Sequence, residues 1–403
     1  MIYKKVILIL SLLTNQNYLI CKKAFVAVPI TDLVGNQLKT GKKKPYQTYK
    51  TLPLESIKGS SYCKRIHQLL FNETVEIIEE TKKEVKVKIS NAFYVDKNGN
   101  PQTTYWARKK DFVTFDQLKK CNLDKSCIPK PISYNVKNFQ EHNKDVITLT
   151  FPFFDKKTNN TFSAGTRIVK AKKQNKKKHF NVFVFDKKNF IFKKTLIPKK
   201  LCCDNSQKNN LQKRQDFLHL LKKWTHLQQG FIPYVWGGCS FTHLCNHNKI
   251  VQIKCKSNSP NPATIYMRKN FNHTPIPGFD CSGLVCRAAQ ICNIPYFYKN
   301  TTTIGKFLDE VHNIKQLKNG DLIVYSGHVM IVSDIKNNKI IEARTNEYGC
   351  GKVQEVSLQN AFKDIATYVD IFEHQKQNKT LYRINKNRNA VQAIKNIKFR
   401  KLI

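Results

Sequence analysis

A chain of 403 residues is too long for one ordinary domain, and two or three are expected. Its hydrophobic fraction of 41% is enough for true cores and excludes a wholly disordered chain. The formal charge of +42 comes from lysines spread along the whole length, so it marks no dedicated nucleic-acid face, although any anionic polymer would be attracted non-specifically.

In chain order, Lys4 and Lys5 followed by the apolar run 6–13 read as the start of an export signal over residues 1–23. The run is too short to span a bilayer as a helix. Cys21 follows Ile20, where a lipid-modified cysteine wants a small residue, so export without a lipid anchor is the reading and a buried first strand is the alternative. Residues 24–117 contain short segments rich in Val, Ile and aromatics ("AFVAVPITDLV", "QLLFNETVEIIEE", "EVKVKISNAFYV", "YWARKKDFV"), with Asp-Lys-Asn-Gly-Asn at 96–100 as a turn. Such spacing predicts a small barrel, followed by a linker at 118–130. Residues 130–200 repeat the character and predict a second barrel, with the run "KAKKQNKKKH" at 170–179 as a solvated hairpin loop.

From Leu211 the pattern changes to helical spacing in "LQKRQDFLHLLKKW", and "GFIPYVWGG" then brings turn chemistry. After "GFDCSG", apolar residues at 284, 285, 288, 289, 291 and 292 predict an amphipathic helix with Cys281 at its first turn. "DLIVYSGHVMIVSDI" and "KIIEAR" read as two strands joined around Asn337-Asn338. Residues 373–403 carry nine Lys/Arg against one Glu and read as a mobile basic tail. Of the thirteen cysteines, setting aside Cys21 and Cys281 leaves an odd number, which does not describe a complete disulfide framework. Cys121 with Cys127, or Cys239 with Cys245 or Cys255, would pair in an oxidising compartment; buried free thiols are the alternative.

Cys281 stands out because free N–H groups and the dipole at a helix start stabilise a thiolate. A nucleophilic cysteine needs a base, and the base needs an orienting partner. His328 begins a strand directly after Ser326-Gly327, and Glu342 is a charge inside an otherwise apolar strand, costly there unless paired. A carboxylate on the far imidazole nitrogen would fix both ring and tautomer. A two-residue Asn-Asn turn would put His328 and Glu342 on opposite faces; they meet only across a wider or bulged connection.

Together, "PYVWGG", "GFDCSGLV", "GDLIVYSGHVMIV" and "IIEA" resemble the NlpC-type family of bacterial cell-wall cysteine peptidases, over roughly residues 211–372. The resemblance implies an α+β fold, a permuted papain-like catalytic domain at 208–372, with an insertion at 239–277 where relatives are short. It implies Cys281 as nucleophile, His328 as base, Glu342 in the third polar position, and Tyr234 with the Cys281 N–H as the oxyanion site. "VPITDLV", "QLLFNETV", "FSAGTRIV" and "FNVFVFD" are similar to the two SH3-like barrels that precede this domain in γ-D-glutamyl-L-diamino acid endopeptidases. In that subfamily the first barrel restricts the site to substrates with a free N-terminal L-Ala. The resemblance assigns substrate contacts to Glu73, Tyr105, Asp280 and Ser282. It also assigns Asn300 and Thr301, in a "YKNTT" segment that departs from the family's Pro-Arg-Asp/Ser.

No metal or organic cofactor is expected. The insertion holds Cys239, Cys245, Cys255, His243 and His247, but their spacing fits no usual zinc pairing. The implied activity is hydrolysis of the γ-D-glutamyl–diamino acid bond of peptidoglycan stem peptides by an exported, periplasmic or cell-envelope enzyme with no nucleic-acid specificity. Two alternatives are an acyltransferase on the same scaffold and a non-catalytic basic module that binds wall polymer or nucleic acid.

Overall fold

The structure is a computed structural model, and it describes residues 21–38, 48–50, 52–56, 63–96, 98–133, 145–171, 177–203, 208–245, 250–254, 264–268, 275–348, 350–385 and 387–403. Residues 1–20 of the expected export signal lie outside them, as do residues 172–176 of the 170–179 loop, His247 and Cys255. The signal's expected end at residue 23 cuts into a strand: Lys22–Val26 pairs with Thr74–Glu80, Lys22 facing Ile77 and Lys23 facing Glu76. No helix among the described residues is long and apolar enough to cross a membrane.

The first unit is one seven-stranded antiparallel sheet running from Lys22 to Thr114. Period-two alternation sends Val85, Val87, Tyr105 and Ala107 into one core with Ala24, Val26 and Leu69. The second unit, between Val146 and Cys203, pairs Val146–Leu149 with Arg167–Val169 and Cys202–Cys203, beside the long hairpin His179–Asp186 with Ile191–Pro198. Its core continues into the first unit through Phe25, Phe71 and Val113. Cys121, Cys127 and Cys239 carry free thiols, so Cys121 and Cys127 are not paired; Cys121 is exposed whereas Cys127 is buried.

The C-terminal unit places helix α1 (Asn210–Thr225) and helix α2 (Cys281–Ile291) on one face of a six-stranded antiparallel sheet. Its strands are β1 (Glu310–Val311), β2 (Leu322–Tyr325), β3 (His328–Asp334), β4 (Lys339–Arg344), β5 (Lys352–Ser357) and, after helix α3 (Tyr368–Lys376), β8 (Lys398–Arg400). They lie in the order β1-β8-β2-β3-β4-β5. Alternation is clean. Leu322, Val324, Val329, Ile331, Ile341 and Ala343 pack on α1 and α2, while Ile323, Tyr325, Met330, Val332 and Ile340 pack on α3 and the C-terminal segment.

The expected basic tail is therefore part of the fold. Residues 381–394 form a hairpin of β6 (Leu381–Ile384) and β7 (Ala390–Ile394), and β8 lies between β1 and β2. The charges mislead because most of those described are exposed, Arg383 being the buried exception, while Leu381, Ile394, Ile397 and Phe399 are buried.

The insertion after Gly238 is a docked element. Its hairpin Ile250–Lys254 with Thr264–Arg268 takes Glu55–Ser56 of the first unit as a third strand. A polar cluster joins the same two units. Buried Arg65 binds Asp32 at 2.8 Å and the Trp236 carbonyl at 3.1 Å, and Gln68 donates to the Ile276 carbonyl while accepting from the Cys239 N–H and the Ser240 hydroxyl.

Candidate active site

Cys281 is the first residue of α2, and the cap preceding it is built from its neighbours. Asp280 accepts from the Gly283 N–H and from the Ser282 hydroxyl at 3.0 Å, and buried Lys299 donates to both Asp280 oxygens at 3.1 and 3.2 Å. Gly283 is required because a Cβ there would overlap the Gly238 carbonyl oxygen, so only glycine lets α2 start against the 236–239 turn. The Val329 N–H, from the peptide following His328, and the Ser282 N–H both hydrogen-bond the sulfur.

Those amides favour a thiolate, as the sequence predicted, but they are outweighed. Burial and the nearby Asp280 push the Cys281 thiol up to about 12. His328 lies below its ordinary value because burial opposes its charged form, which Glu342 only partly restores. At neutral pH the resting pair is a thiol beside an uncharged imidazole.

The registry question has a specific answer. Ile331 faces Ile341 and Val332 faces Ile340, but Asp334 faces Lys339, leaving Ser333 as the extra residue of a β-bulge. Continuing the inner register brings Glu342 opposite Met330, two residues along from His328 on the same face. His328 Nε2 lies 2.9 Å from Glu342 Oε2, which leaves Nδ1 as the nitrogen not taken by the carboxylate. Glu342 is fully buried and also receives Gln354 at 3.2 Å and Arg383 at 2.8 Å to each oxygen. Against the upward push of burial, Arg383 and His328 hold its carboxyl well below the usual carboxylate range.

Tyr234 is buried beside this centre, and its hydroxyl is raised by burial and by the proximity of Cys281 and Asp280. Thr301 accepts the Gly327 N–H at 3.2 Å, immediately before His328. The other expected substrate contacts are otherwise engaged. Asn300 caps its helix through Thr303 and donates to the Val95 carbonyl at 3.3 Å. The Ser282 hydroxyl is directed at Asp280.

Glu73 does not face the cleft with a free carboxylate. It binds Arg287 of α2 at 2.7 Å and the Leu70 N–H at 3.0 Å, tying the first unit to the helix. Tyr105 lies in the first unit's core with its hydroxyl on the Gln102 carbonyl at 2.9 Å.

Three residues went unread in the sequence. Lys299 neutralises the cap, Arg383 backs Glu342, and Glu55 of the first unit accepts the Asn346 N–H at 2.6 Å and acts electrostatically on Tyr234. Lys299 had a signal, since it stands where the family segment carries a basic residue; Arg383 and Glu55 had none.

A helix-start cysteine, a strand histidine and a buried carboxylate brought together across one sheet define a cysteine peptidase. Residues 232–366 match the NlpC/P60 family. An NlpC/P60 family protein from Bacillus cereus has the same fold, at 15% identity and a TM-score of 0.52, covering 83% of this chain and 94% of its own. NlpC2 from Trichomonas vaginalis matches at 11% identity and a TM-score of 0.29, over 84% of this chain and 94% of its own. NlpC1 from the same organism matches at 12% and 0.30, over 86% and 91%. No curated protein matches the chain.

Proposed function

We propose that this protein hydrolyses the γ-D-glutamyl–diamino acid bond of peptidoglycan stem peptides, with Cys281 as nucleophile, His328 as base and acid, and Glu342 as orienter. The carrying observation is the convergence itself: the His328–Glu342 bond at 2.9 Å, with the Cys281 sulfur on the next peptide N–H. The sulfur attacks the γ-carbonyl carbon of D-Glu as its proton passes to His328 Nδ1, and Glu342 stabilises the resulting imidazolium. The oxyanion takes the Cys281 N–H, which has no acceptor inside the helix, and the Tyr234 hydroxyl. The intermediate collapses, His328 gives its proton to the departing amine, and water activated by His328 cleaves the thioester to return the thiol.

The two N-terminal units are read as SH3-like, the C-terminal unit as permuted papain-like, and the enzyme as exported to the cell envelope. Specificity for a free L-Ala amine fits two segments of the first unit that border the site. One ends at Glu55, beside Tyr234; the other pairs Phe93 with Phe297 and Lys299 through the backbone.

The test is digestion of defined stem peptides with free and blocked L-Ala amines, with products identified by mass. Release of L-Ala-D-Glu from the free form alone supports the reading. Cleavage of both forms removes the amine requirement, and capture of the acyl group by an added amine in place of water assigns acyl transfer. Salt-sensitive polymer binding without any cleavage assigns a binding module.

A further inference from the structure

We infer that the C-terminal hairpin, beyond the family-matched residues, supplies a positioning residue: Arg383 of β6 holds Glu342 as an oriented carboxylate for His328. The inference rests on the proposed roles of Cys281, His328 and Glu342.

Arg383 is fully buried, and its Nη2 lies 2.8 Å from both Glu342 oxygens. Glu342 is its only carboxylate partner among the described residues. The guanidinium is fixed from its other sides, 4.9 Å over the Phe362 ring and with Nη1 2.8 Å from Met330 Sδ. It is therefore a preset clamp rather than a swinging surface charge.

Such a clamp answers a specific need. An uncompensated carboxylate enclosed this completely would take up a proton, and a neutral carboxyl makes a much weaker bond to the imidazole N–H than a carboxylate does. An amide or imidazole in this position would have no such requirement, so the acid and the arginine belong together. The other groups facing Glu342 do not replace Arg383. Arg344 bonds the Ile384 carbonyl at 2.8 Å and lies over Tyr348, the Tyr325 hydroxyl points to Gln392 of β7 at 3.5 Å, and Gln354 links the carboxylate to the Cys350 thiol at 3.6 Å.

A merely structural ion pair between β6 and β4 would alter stability alone, whereas a positioning residue alters the reactivity of Cys281 with pH. The probe is iodoacetamide, which alkylates Cys281 without requiring any knowledge of the substrate, read by mass on the Cys281 peptide from the full chain. His328→Ala calibrates the base. Arg383→Met is expected to slow alkylation about tenfold near pH 6 and to regain the rate at alkaline pH, an acid limb moved up by about one pH unit. Arg383→Lys should stay nearer the wild-type profile. In Glu342→Gln/Arg383→Met the upward shift should vanish, leaving the Glu342→Gln rate.

The inference is overturned if Arg383→Met melts earlier yet keeps the wild-type pH profile. Should that single variant not fold, a double variant much slower than Glu342→Gln overturns it, and equal rates support it. Alkylation that ignores His328→Ala would instead refute the underlying reading of the site.

Discussion

Glu55 gives a stability prediction whose size follows from its surroundings. It is 2% exposed, held between the first unit and the inserted hairpin, with the Asn346 N–H on Oε1 at 2.6 Å. Burial outweighs that bond and lifts its carboxyl from 4.5 to about 7. In the unfolded chain the group titrates near 4.5. Between those values the folded state binds a proton that the unfolded state has released, so stability falls as pH rises through the window. The full gap corresponds to about 3 kcal/mol. Glu55→Gln keeps an acceptor for Asn346 and removes the titration. The two proteins should be equally stable near the lower end of the window, and the variant should lead by up to about 3 kcal/mol above its upper end. Urea unfolding of both proteins at several pH values reads the difference, in which other titrating groups cancel. A difference that is flat with pH, or that favours the wild type at high pH, would refute the burial argument.

Truncation after residue 372 removes β8 from inside the sheet together with Phe399, which stacks on Phe372 at 4.3 Å. Losing several buried side chains at roughly 1.5–3 kcal/mol each should abolish a cooperative melt, measured by circular dichroism. Glu73→Leu strands the buried Arg287 cation and should cost about 3–5 kcal/mol, whereas Glu73→Leu/Arg287→Leu should recover much of it in denaturant titrations. Because burial lowers His328 and Glu342 raises it, the acid limb of kcat/KM should lie below 6.5 and move further down in Glu342→Gln, read from a pH–rate series.

Much of the site was legible because its parts are local. "GFDCSG" carries both the cap and the glycine that α2 needs to approach the 236–239 turn, and the isolated charge of Glu342 within "IIEA" asked for a partner. The register was not legible: one inserted residue, Ser333, decides the face, and nothing in "VSDIKNN" marks it as a bulge. Arg383 was hidden among nine basic residues whose strands are short enough for charge to mask the alternation. Glu73 was misassigned because its partner lies 214 residues away, a tertiary ion pair that no local pattern encodes. Tyr105 alternates inward with Ala107, so its ring belongs to a core although its hydroxyl invited a substrate role.

The central claim is that one sulfur carries the acyl group. Acid-quenched mixtures of the protein with L-Ala-γ-D-Glu-diaminopimelate, digested and weighed, should show the dipeptide as a thioester on the Cys281 peptide. Cys281→Ala should show neither adduct nor turnover. Continued hydrolysis by Cys281→Ala, or an adduct on another cysteine that tracks turnover, would contradict the account.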